Sequence, residues 1–298
     1  MTKTALILGA NGRFGRNAAS AFETAGWIVR RFDRANDTLE TAAHGADVIV
    51  NAWNMAYSQW RQTVIPLQTR VQKVALANDA TVIIPGNVYV FGPQTPAPWS
   101  DTSPHGATNE LGRIRIALED SYRRAGVRTI ILRGGDYLDT EASGNWFDKM
   151  MAPGLSKGRF TYPGTPDIAH AWAYLPDLTR AAVMLADKRD ALARFEDVCF
   201  PGYTLSGHEM AAHLGAARGH PVRLKHMHWW PLRLLQPFWS EVRHFFEMRY
   251  LWTTPHSLDR TKFDALLPGF EHTDPQRALA RAADFVPQPK RAERLATA

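Results

Sequence analysis

Cysteine and long hydrophobic runs are what the sequence most clearly lacks. Cys199 is the single cysteine among 298 residues, so the chain cannot form an internal disulfide, and we expect a cytoplasmic protein. Because Cys199 lies in the apolar stretch DVCF, we expect it in the core rather than acting as a nucleophile. No run reaches the roughly 18 apolar residues of a membrane span, and MTKTALILGANG at the start is too weakly apolar for a secretory leader. We therefore expect no stable membrane insertion.

Dense runs of basic residues are missing as well, although the chain as a whole is basic. The formal net charge is +6 and the sequence pI is about 9.5, but lysine and arginine occur mostly singly or in pairs. Tracts of about five to eight basic residues typify nucleic-acid contacts, so we expect no nucleic-acid partner. A broadly basic surface suits an anionic small molecule equally well, and we expect a small-molecule substrate.

The usual patterns of metal ligands are also lacking. Four histidines lie near one another in the sequence, at His220, His226, His228 and His244. Neither paired cysteines nor an H-E-x-x-H pattern accompanies them, and such partners define the common zinc sites. We therefore predict no metal site.

The first half of the chain contains a regular alternation of short apolar runs and helical periodicity. The runs TALILG, WIVRRF, DVIVNAW, TVIIPG and RTIILRGG predict buried strands. Residues 11–25, 59–77 and 111–125 repeat apolar side chains at helical spacing, and Gly26 and Gly126 end two of these predicted helices. Apolar strands that alternate with helices predict an α/β fold with a Rossmann-like, doubly wound parallel sheet.

Three glycines follow the first predicted strand at steps of three. Gly9, Gly12 and Gly15 would allow a sharp turn, a close approach of the backbone to a pyrophosphate, and close packing of the helix on the strand. The phosphates would then meet unpaired N–H groups at the helix N-terminus. Asp33 ends the next predicted strand 18 residues after Gly15, close to the ~20 residues expected of a group that binds the adenine ribose. The turn therefore predicts a dinucleotide-binding site.

The residues around this turn leave the choice of dinucleotide open. Asp33 would accept hydrogen bonds from a ribose 2′-hydroxyl, which favours NAD. Arg34 and Arg13 would each pair with a 2′-phosphate, which favours NADP, because a guanidinium matches phosphate in a forked geometry. Two arginines against one aspartate favour NADP slightly.

The second half of the chain has a different character and predicts a second region. Proline, tryptophan and histidine become frequent there, and the alternation weakens. We expect residues 1–145 to form a dinucleotide-binding Rossmann domain, to which residues 171–200 return. Residues 146–298 would mostly form a smaller, mainly helical, substrate-binding cap.

An aromatic-rich stretch from Leu224 to Trp252 lies within this predicted cap. Its composition fits an amphipathic element on a membrane surface. Glu241 and Glu247 interrupt its basic face, however, which favours a helical cap that packs on the sheet, or a contact between subunits. A homodimer is therefore a possible assembly.

Six segments follow one another in an order that resembles a known family. They are GANGRFG, ADVIVNAW, VIIPGNVYVFGP, TIILRGGDYL, AYLPDLTRAAVMLA and HSLDRTKFDALLPGFEHTDPQRALARA, and they are distributed along most of the chain, from Gly9 to Ala282. Together they resemble the extended short-chain dehydrogenase/reductase superfamily, in its NAD-dependent epimerase/dehydratase branch. The resemblance implies a cofactor site formed by Gly9, Asn11, Gly12, Arg13, Phe14, Gly15, Asp33, Arg34, Ala52, Trp53, Asn87 and Arg115.

The catalytic part of the family pattern is altered. The family uses a serine and a Tyr-x-x-x-Lys motif, and these positions fall on Asn87, Leu111 and Arg115. Leucine cannot transfer a proton, and arginine stays charged, so Arg115 could bind a ribose but relays protons poorly. The candidate replacements are Tyr89, beside Asn87, and Tyr137 with its neighbour Asp136; His105 would be a candidate acid only if it faced the nicotinamide.

The resemblance implies an NAD(P)-dependent oxidoreductase or epimerase-like enzyme that acts on a small molecule. Hydride chemistry belongs to such a cofactor, so hydrogen-bond donors and a solvent proton could suffice without the tyrosine. The alternative is a catalytically silent NAD(P)-binding sensor or assembly protein, which Leu111 and Arg115 would suit.

Overall fold

The computed structural model describes residues 2–287, so residues 288–298 of the predicted cap lie outside the described part of the chain. The strands are β1 (Thr4–Leu8), β2 (Ile28–Arg31), β3 (Val48–Asn51), β4 (Thr81–Gly86), β5 (Thr129–Arg133), β6 (Asp136–Leu138), β7 (Arg159–Tyr162), β8 (His170–Tyr174), β9 (Phe195–Cys199), β10 (Tyr203–Leu205) and β11 (Arg223–His226). The helices are α1 (Arg13–Thr24), α2 (Leu39–Ala43), α3 (Trp60–Ala77), α4 (Glu110–Ala125), α5 (Leu175–Asp187), α6 (Gly207–Arg218), α7 (Trp230–Leu235), α8 (Val242–Glu247), α9 (Thr261–Leu266) and α10 (Pro275–Ala282).

The central sheet consists of six parallel strands in the order β2-β1-β3-β4-β5-β9. In its register, Leu6 lies beside Ile49, and Ile49 lies beside Val82. The strand order reverses between β1 and β3, and such a reversal opens a crevice at the carboxyl ends of the strands. The predicted doubly wound Rossmann-like sheet is confirmed.

Helices cover both faces of this sheet because successive strand residues point to opposite sides. Ala5 and Ile7 pack with Phe22 of α1 and Leu178 of α5 on one face. The alternate residues of the same strands, Leu6 and Leu8 among them, pack on the other face against α3 and α4. Cys199 is buried, and burial raises the pKa of its thiol to about 12, so it is a core residue as predicted.

The cap combines short helices with two small sheets, whereas the sequence led us to expect a mainly helical cap. One sheet has the order β10-β8-β6, and the other pairs β11 with β7. Aromatic residues such as Phe160, Trp172 and Trp252 form a separate core there. Within residues 171–200, α5 packs on the central sheet and β9 completes it; the division of the chain into domains at residue 145 stays a prediction.

Within the described range, no helix is long and apolar enough to cross a membrane.

Candidate functional site

A cavity of about 790 Å³ lies at the carboxyl ends of β1, β3 and β4 and reaches under the cap. Its walls include eleven of the residues that the sequence and the resemblance single out: Asn11, Gly12, Arg13, Phe14, Ala52, Trp53, Asn87, Tyr89, Arg115, Asp136 and Tyr137. Gly9, Gly15, Asp33 and Arg34 do not line it. The sequence therefore located most of one wall of the cavity.

The glycine turn forms the edge of this cavity. Gly9 has a φ of +77°, and its carbonyl accepts a hydrogen bond of 2.9 Å from the N–H of Gly12. A Cβ on Gly15 would lie 2.1 Å from that same carbonyl oxygen, so close packing of helix on strand requires glycine there. A Cβ on Gly12 would meet only the Gly9 oxygen, at 3.2 Å. Gly12 therefore faces open space, which a ligand could fill.

Asp33 and Arg34 lie at the exposed rim beyond β2. The Asp33 carboxylate accepts hydrogen bonds from the N–H of Ala35 (3.0 Å) and from Asn36 (2.6 Å), which lower its pKa. The Arg34 guanidinium lies 4.9 Å from the ring centroid of Trp53, which lines the cavity. The Asp33 carboxylate is thus hydrogen-bonded within its own turn, whereas the Arg34 guanidinium lies against Trp53 of the cavity wall.

Two tyrosines meet at the end of β4. The hydroxyls of Tyr89 and Tyr57 lie 2.8 Å apart, and the N–H of Tyr89 donates to the Asn87 side chain. Burial raises the pKa of both hydroxyls. Burial also raises the pKa of Tyr137 to about 12, against the opposing charges of Arg115 and Arg13. All three phenols therefore stay protonated at neutral pH, where they can donate a hydrogen bond or a proton but cannot act as bases.

The residue that stands where the family has its tyrosine is buried in the core. Leu111 is fully buried in the first turn of α4, and its N–H donates to Glu247 at 2.6 Å. Arg115, one turn later, lines the cavity, and its Nη2 donates to the carbonyl of Pro85 at 3.0 Å. Neither residue can supply a proton: the leucine has no polar atom, and the arginine stays charged.

On the β6 side of the cavity, Asp136 is the polar group that a buried hydrogen-bond partner holds in place. Its carboxylate lines the cavity and is a quarter exposed, while one oxygen lies 2.8 Å from Nε2 of the fully buried His170. Stacking on Trp252, with ring centroids 4.5 Å apart, fixes the plane of the His170 ring. Asp136 is therefore held by a hydrogen bond at one oxygen and open to the cavity.

A buried ionic cluster lies behind the cavity. One ligand atom each of His105, Glu119 and Asp197 lies within 4.8 Å of the others, the spacing of a metal site. The guanidinium of Arg133 already bridges the two carboxylates, at 2.9 Å from Glu119 and 2.6 Å from Asp197. Burial and the charge of Arg133 lower the pKa of His105. The arginine supplies the charge that a metal would otherwise bring, and the cluster ties β5 to β9 and α4.

Several residues in or behind the cavity wall belong to no motif that sequence reasoning could have used. Tyr57 follows β3 after an irregular loop, and His170 lies 34 residues beyond its partner Asp136. The cap adds Trp146, Phe245 and Trp239, which line the far end of the cavity. Only the position of Tyr57, just beyond the carboxyl end of a predicted strand, pointed toward the site.

Comparison with known proteins gives a likeness in structure alone, since neither a family model nor a curated protein sequence matches the chain. Three solved structures illustrate it. TunA, a novel NAD-dependent NDP-hexosamine 5,6-dehydratase involved in tunicamycin biosynthesis, has a TM-score of 0.74 at 14% identity, over 95% of this chain and 97% of that one. The UDP-N-acetylglucosamine 4-epimerase from Bacillus cereus has a TM-score of 0.72 at 14% identity, over 95% and 96%.

The third structure is MoeE5 in complex with UDP-glucose and NAD. Its TM-score is 0.70 at 13% identity, over 95% of this chain and 98% of that one. The coverage is nearly complete in both directions, so the likeness includes the cap as well as the central sheet. The chain therefore has the fold of the NAD-dependent nucleotide-sugar epimerases and dehydratases, the extended short-chain dehydrogenase/reductase fold that its sequence resembles.

Proposed function

We propose that this protein is an NAD(P)-dependent oxidoreductase or epimerase-like enzyme that acts on a small molecule. The observation that carries the proposal is the continuity of the cavity. It runs from the open edge of the glycine turn at Gly12 to the protonated hydroxyl of Tyr137 and the carboxylate of Asp136. One cavity thus offers both a place for a dinucleotide and groups that move protons.

The glycine turn fits a pyrophosphate. The first-turn N–H groups of α1, on Arg13, Phe14 and Gly15, have no carbonyl to bind within the helix. They carry the positive end of the helix dipole and so favour a negatively charged group. No carboxylate occupies the first turn of α1, and the N-terminal residue, Gly12, leaves the approach open.

The proton chemistry would come from the β6 wall. A bound nicotinamide would supply or accept a hydride. Tyr137, protonated at neutral pH, would hydrogen-bond to the oxygen that gains charge. Asp136 would relay the proton between solvent and that oxygen, delivering it in the reduction and withdrawing it in the oxidation. His170 would act as a positioning residue that holds the Asp136 carboxylate. We infer that the substrate carbon bears an oxygen, as a carbonyl or a hydroxyl.

We further propose that NADP is preferred over NAD. Among residues 2–287, neither Arg13 nor Arg34 forms an ion pair. Arg34 lies at the rim beside Trp53, where its guanidinium is available to a 2′-phosphate, whereas Arg13 lies close enough to Tyr137 for its charge to lower the pKa of that hydroxyl. The Asp33 carboxylate, which would bind a 2′-hydroxyl, is already hydrogen-bonded by its own turn. MoeE5 is described with NAD, so this preference would separate the chain from that structural relative.

Steady-state turnover tests the proposal. Oxidation of NADPH would be followed with a panel of carbonyl, enone and imine compounds, and reduction of NADP⁺ with the corresponding alcohols. Because MoeE5 is described with UDP-glucose, nucleotide sugars belong in both panels. Turnover with any class supports the proposal. Tight dinucleotide binding without turnover in any class would instead support the silent sensor, for which the buried Leu111 is the structural argument.

A further inference from the structure

An exposed apolar surface lies on the cap. We call the side chains of Trp230, Leu234, Leu235, Phe238 and Trp239 the α7 patch; they are exposed by 65, 66, 46, 90 and 43%. Single exposed apolar side chains are ordinary on soluble domains, but five within ten consecutive residues form a surface of the kind that contacts a partner.

The α7 patch continues into the wall of the cavity. Trp239 is half exposed and also lines the cavity, and its ring centroid lies 5.4 Å from that of Phe245. Phe245 lies in turn 5.5 Å from Trp146, deeper in the same wall. Leu232 of α7 lines the cavity too. Whatever covers the patch therefore lies at the mouth of the candidate active site.

The two acidic residues of this segment are turned away from the surface. The carboxylate of Glu241 accepts hydrogen bonds from the N–H groups of Tyr57 (2.9 Å) and Ser58 (3.0 Å). Glu247 accepts from the N–H of Leu111, and from Asn109 at 2.9 Å. Both acids hold the cap onto the central domain, so they do not interrupt the charge of the outer surface, as their place in the sequence suggested.

The surface that leads to the α7 patch is basic. Residues 210–240 contain no aspartate or glutamate. Arg223 and Lys225 are exposed on one face of β11, and three residues separate the end of β11 from the start of α7. Arg233 is exposed on α7 itself. Within residues 2–287, none of the three forms an ion pair. Apolar and aromatic side chains beside unpaired basic ones typify helices that lie in the interface of an anionic membrane.

We propose that the α7 patch docks on the surface of an anionic lipid bilayer. The five apolar side chains enter the interface, the three cations lie over the headgroups, and the mouth of the cavity faces the bilayer. A second copy of the chain fits less well, because a twofold contact would bring the same basic side chains together. The docking does not require a dinucleotide, so it stands or falls separately from the proposed enzymatic function.

Co-sedimentation of the full chain with vesicles tests this proposal. One set contains equal parts of phosphatidylglycerol and phosphatidylcholine, and the other contains phosphatidylcholine alone. We expect binding to the first set that weakens as salt rises. The double variant Leu234→Asp/Phe238→Asp should bind at least about tenfold less tightly, because it removes two exposed apolar anchors and adds negative charge.

Leu76→Asp is the matched control, since Leu76 is 53% exposed on α3, outside the patch; its vesicle binding should equal that of the wild type. Thermal unfolding of each variant checks that it is folded. The proposal is overturned if the wild type ignores anionic vesicles at low salt, or if the double variant binds them as the wild type does. A wild-type dimer that the double variant converts to a monomer would assign the patch to a second copy, and would also overturn it.

Discussion

Because Leu111 has no proton to donate, any proton used in this site must come from another group. Leu111 lies on α4, where the family that the sequence resembles has its tyrosine, and its side chain is sealed in the core. Among the groups that could exchange a proton, Asp136 and Tyr137 lie on β6 and face the cavity, which Tyr57 and Tyr89 also line. The chemistry has therefore to be tested on the β6 wall.

Substitution of the β6 pair separates their roles. We expect Asp136→Asn and Tyr137→Phe each to lower kcat, by about 10²–10⁴-fold for whichever group carries the proton in the rate-limiting step. Dinucleotide affinity should be unchanged in both variants, because neither residue belongs to the glycine turn. Tyr162→Phe is the control, since Tyr162 is buried in the core of the cap and does not line the cavity. Wild-type kcat in both β6 variants would exclude this wall from the chemistry.

Two glycines of the same turn should respond differently to valine. Gly12→Val places its side chain in the space proposed for the pyrophosphate, so dinucleotide binding should be lost while the melting temperature stays close to that of the wild type. Gly15→Val places a Cβ 2.1 Å from the Gly9 carbonyl and should destabilise the fold by about 3–5 kcal/mol. Calorimetric titration and thermal unfolding measure the two effects. Normal affinity in Gly12→Val would refute the pyrophosphate assignment.

Arg34 is the residue on which the choice of NADP can be tested. Its guanidinium would form a charge-assisted contact with the 2′-phosphate that NAD lacks, so Arg34→Ala should weaken NADP binding about tenfold more than NAD binding. Arg31→Ala serves as the control, since Arg31 is also exposed at the end of β2 but is paired with Glu23. Equal losses for the two dinucleotides in Arg34→Ala would remove the basis for the NADP preference.

Most strands of the central sheet and the long helices that cover it were predictable because each carries a local pattern, although β2 is largely exposed rather than buried and β9 was not predicted as a strand. β1, β3, β4 and β5 are continuous apolar runs, and α4 ends at Gly126, which has a φ of +66°. Strand β11 of the cap has no such pattern. β11 reads RLKH and pairs with β7 more than sixty residues earlier, so contacts between distant segments define it rather than its own periodicity.

The buried side chain of His256, in the loop before α9, should make the stability of the fold depend on pH. His256 packs against His170 and stacks on Trp99, and burial together with the nearby His170 lowers its pKa to about 3. In the unfolded chain its pKa returns to about 6.5, so the unfolded state binds more protons between these values. The contribution of His256 to the free energy of unfolding is therefore present above pH 6.5 and is lost as the pH falls. The loss is about 1.5 kcal/mol between pH 6.5 and pH 5.

Denaturant unfolding at several pH values measures this effect. His256→Phe keeps an aromatic ring in the stack but cannot titrate, so its free energy of unfolding should fall less steeply than that of the wild type over the same range. Parallel slopes for the two proteins would show that His256 does not set the acid sensitivity.

At the scale of the whole molecule, the glycine turn was visible in the sequence because its parts are adjacent. Gly9, Gly12 and Gly15 lie within seven residues, and their spacing carries the geometry. The hydrogen bonds between Tyr57 and Tyr89 and between His170 and Asp136 join residues 32 and 34 positions apart. No periodicity links such residues, so the partners Tyr57 and His170 emerged only from the fold, although Tyr89, Asp136 and Tyr137 were already candidates from the sequence.

A crystal structure of the protein with NADP⁺ would show where the dinucleotide binds. We expect the pyrophosphate against the N–H groups of Arg13 and Phe14, the 2′-phosphate beside Arg34, and the nicotinamide in the cavity near Tyr137. A cavity that stays empty at saturating NADP⁺, or a dinucleotide bound away from the glycine turn, would contradict the account.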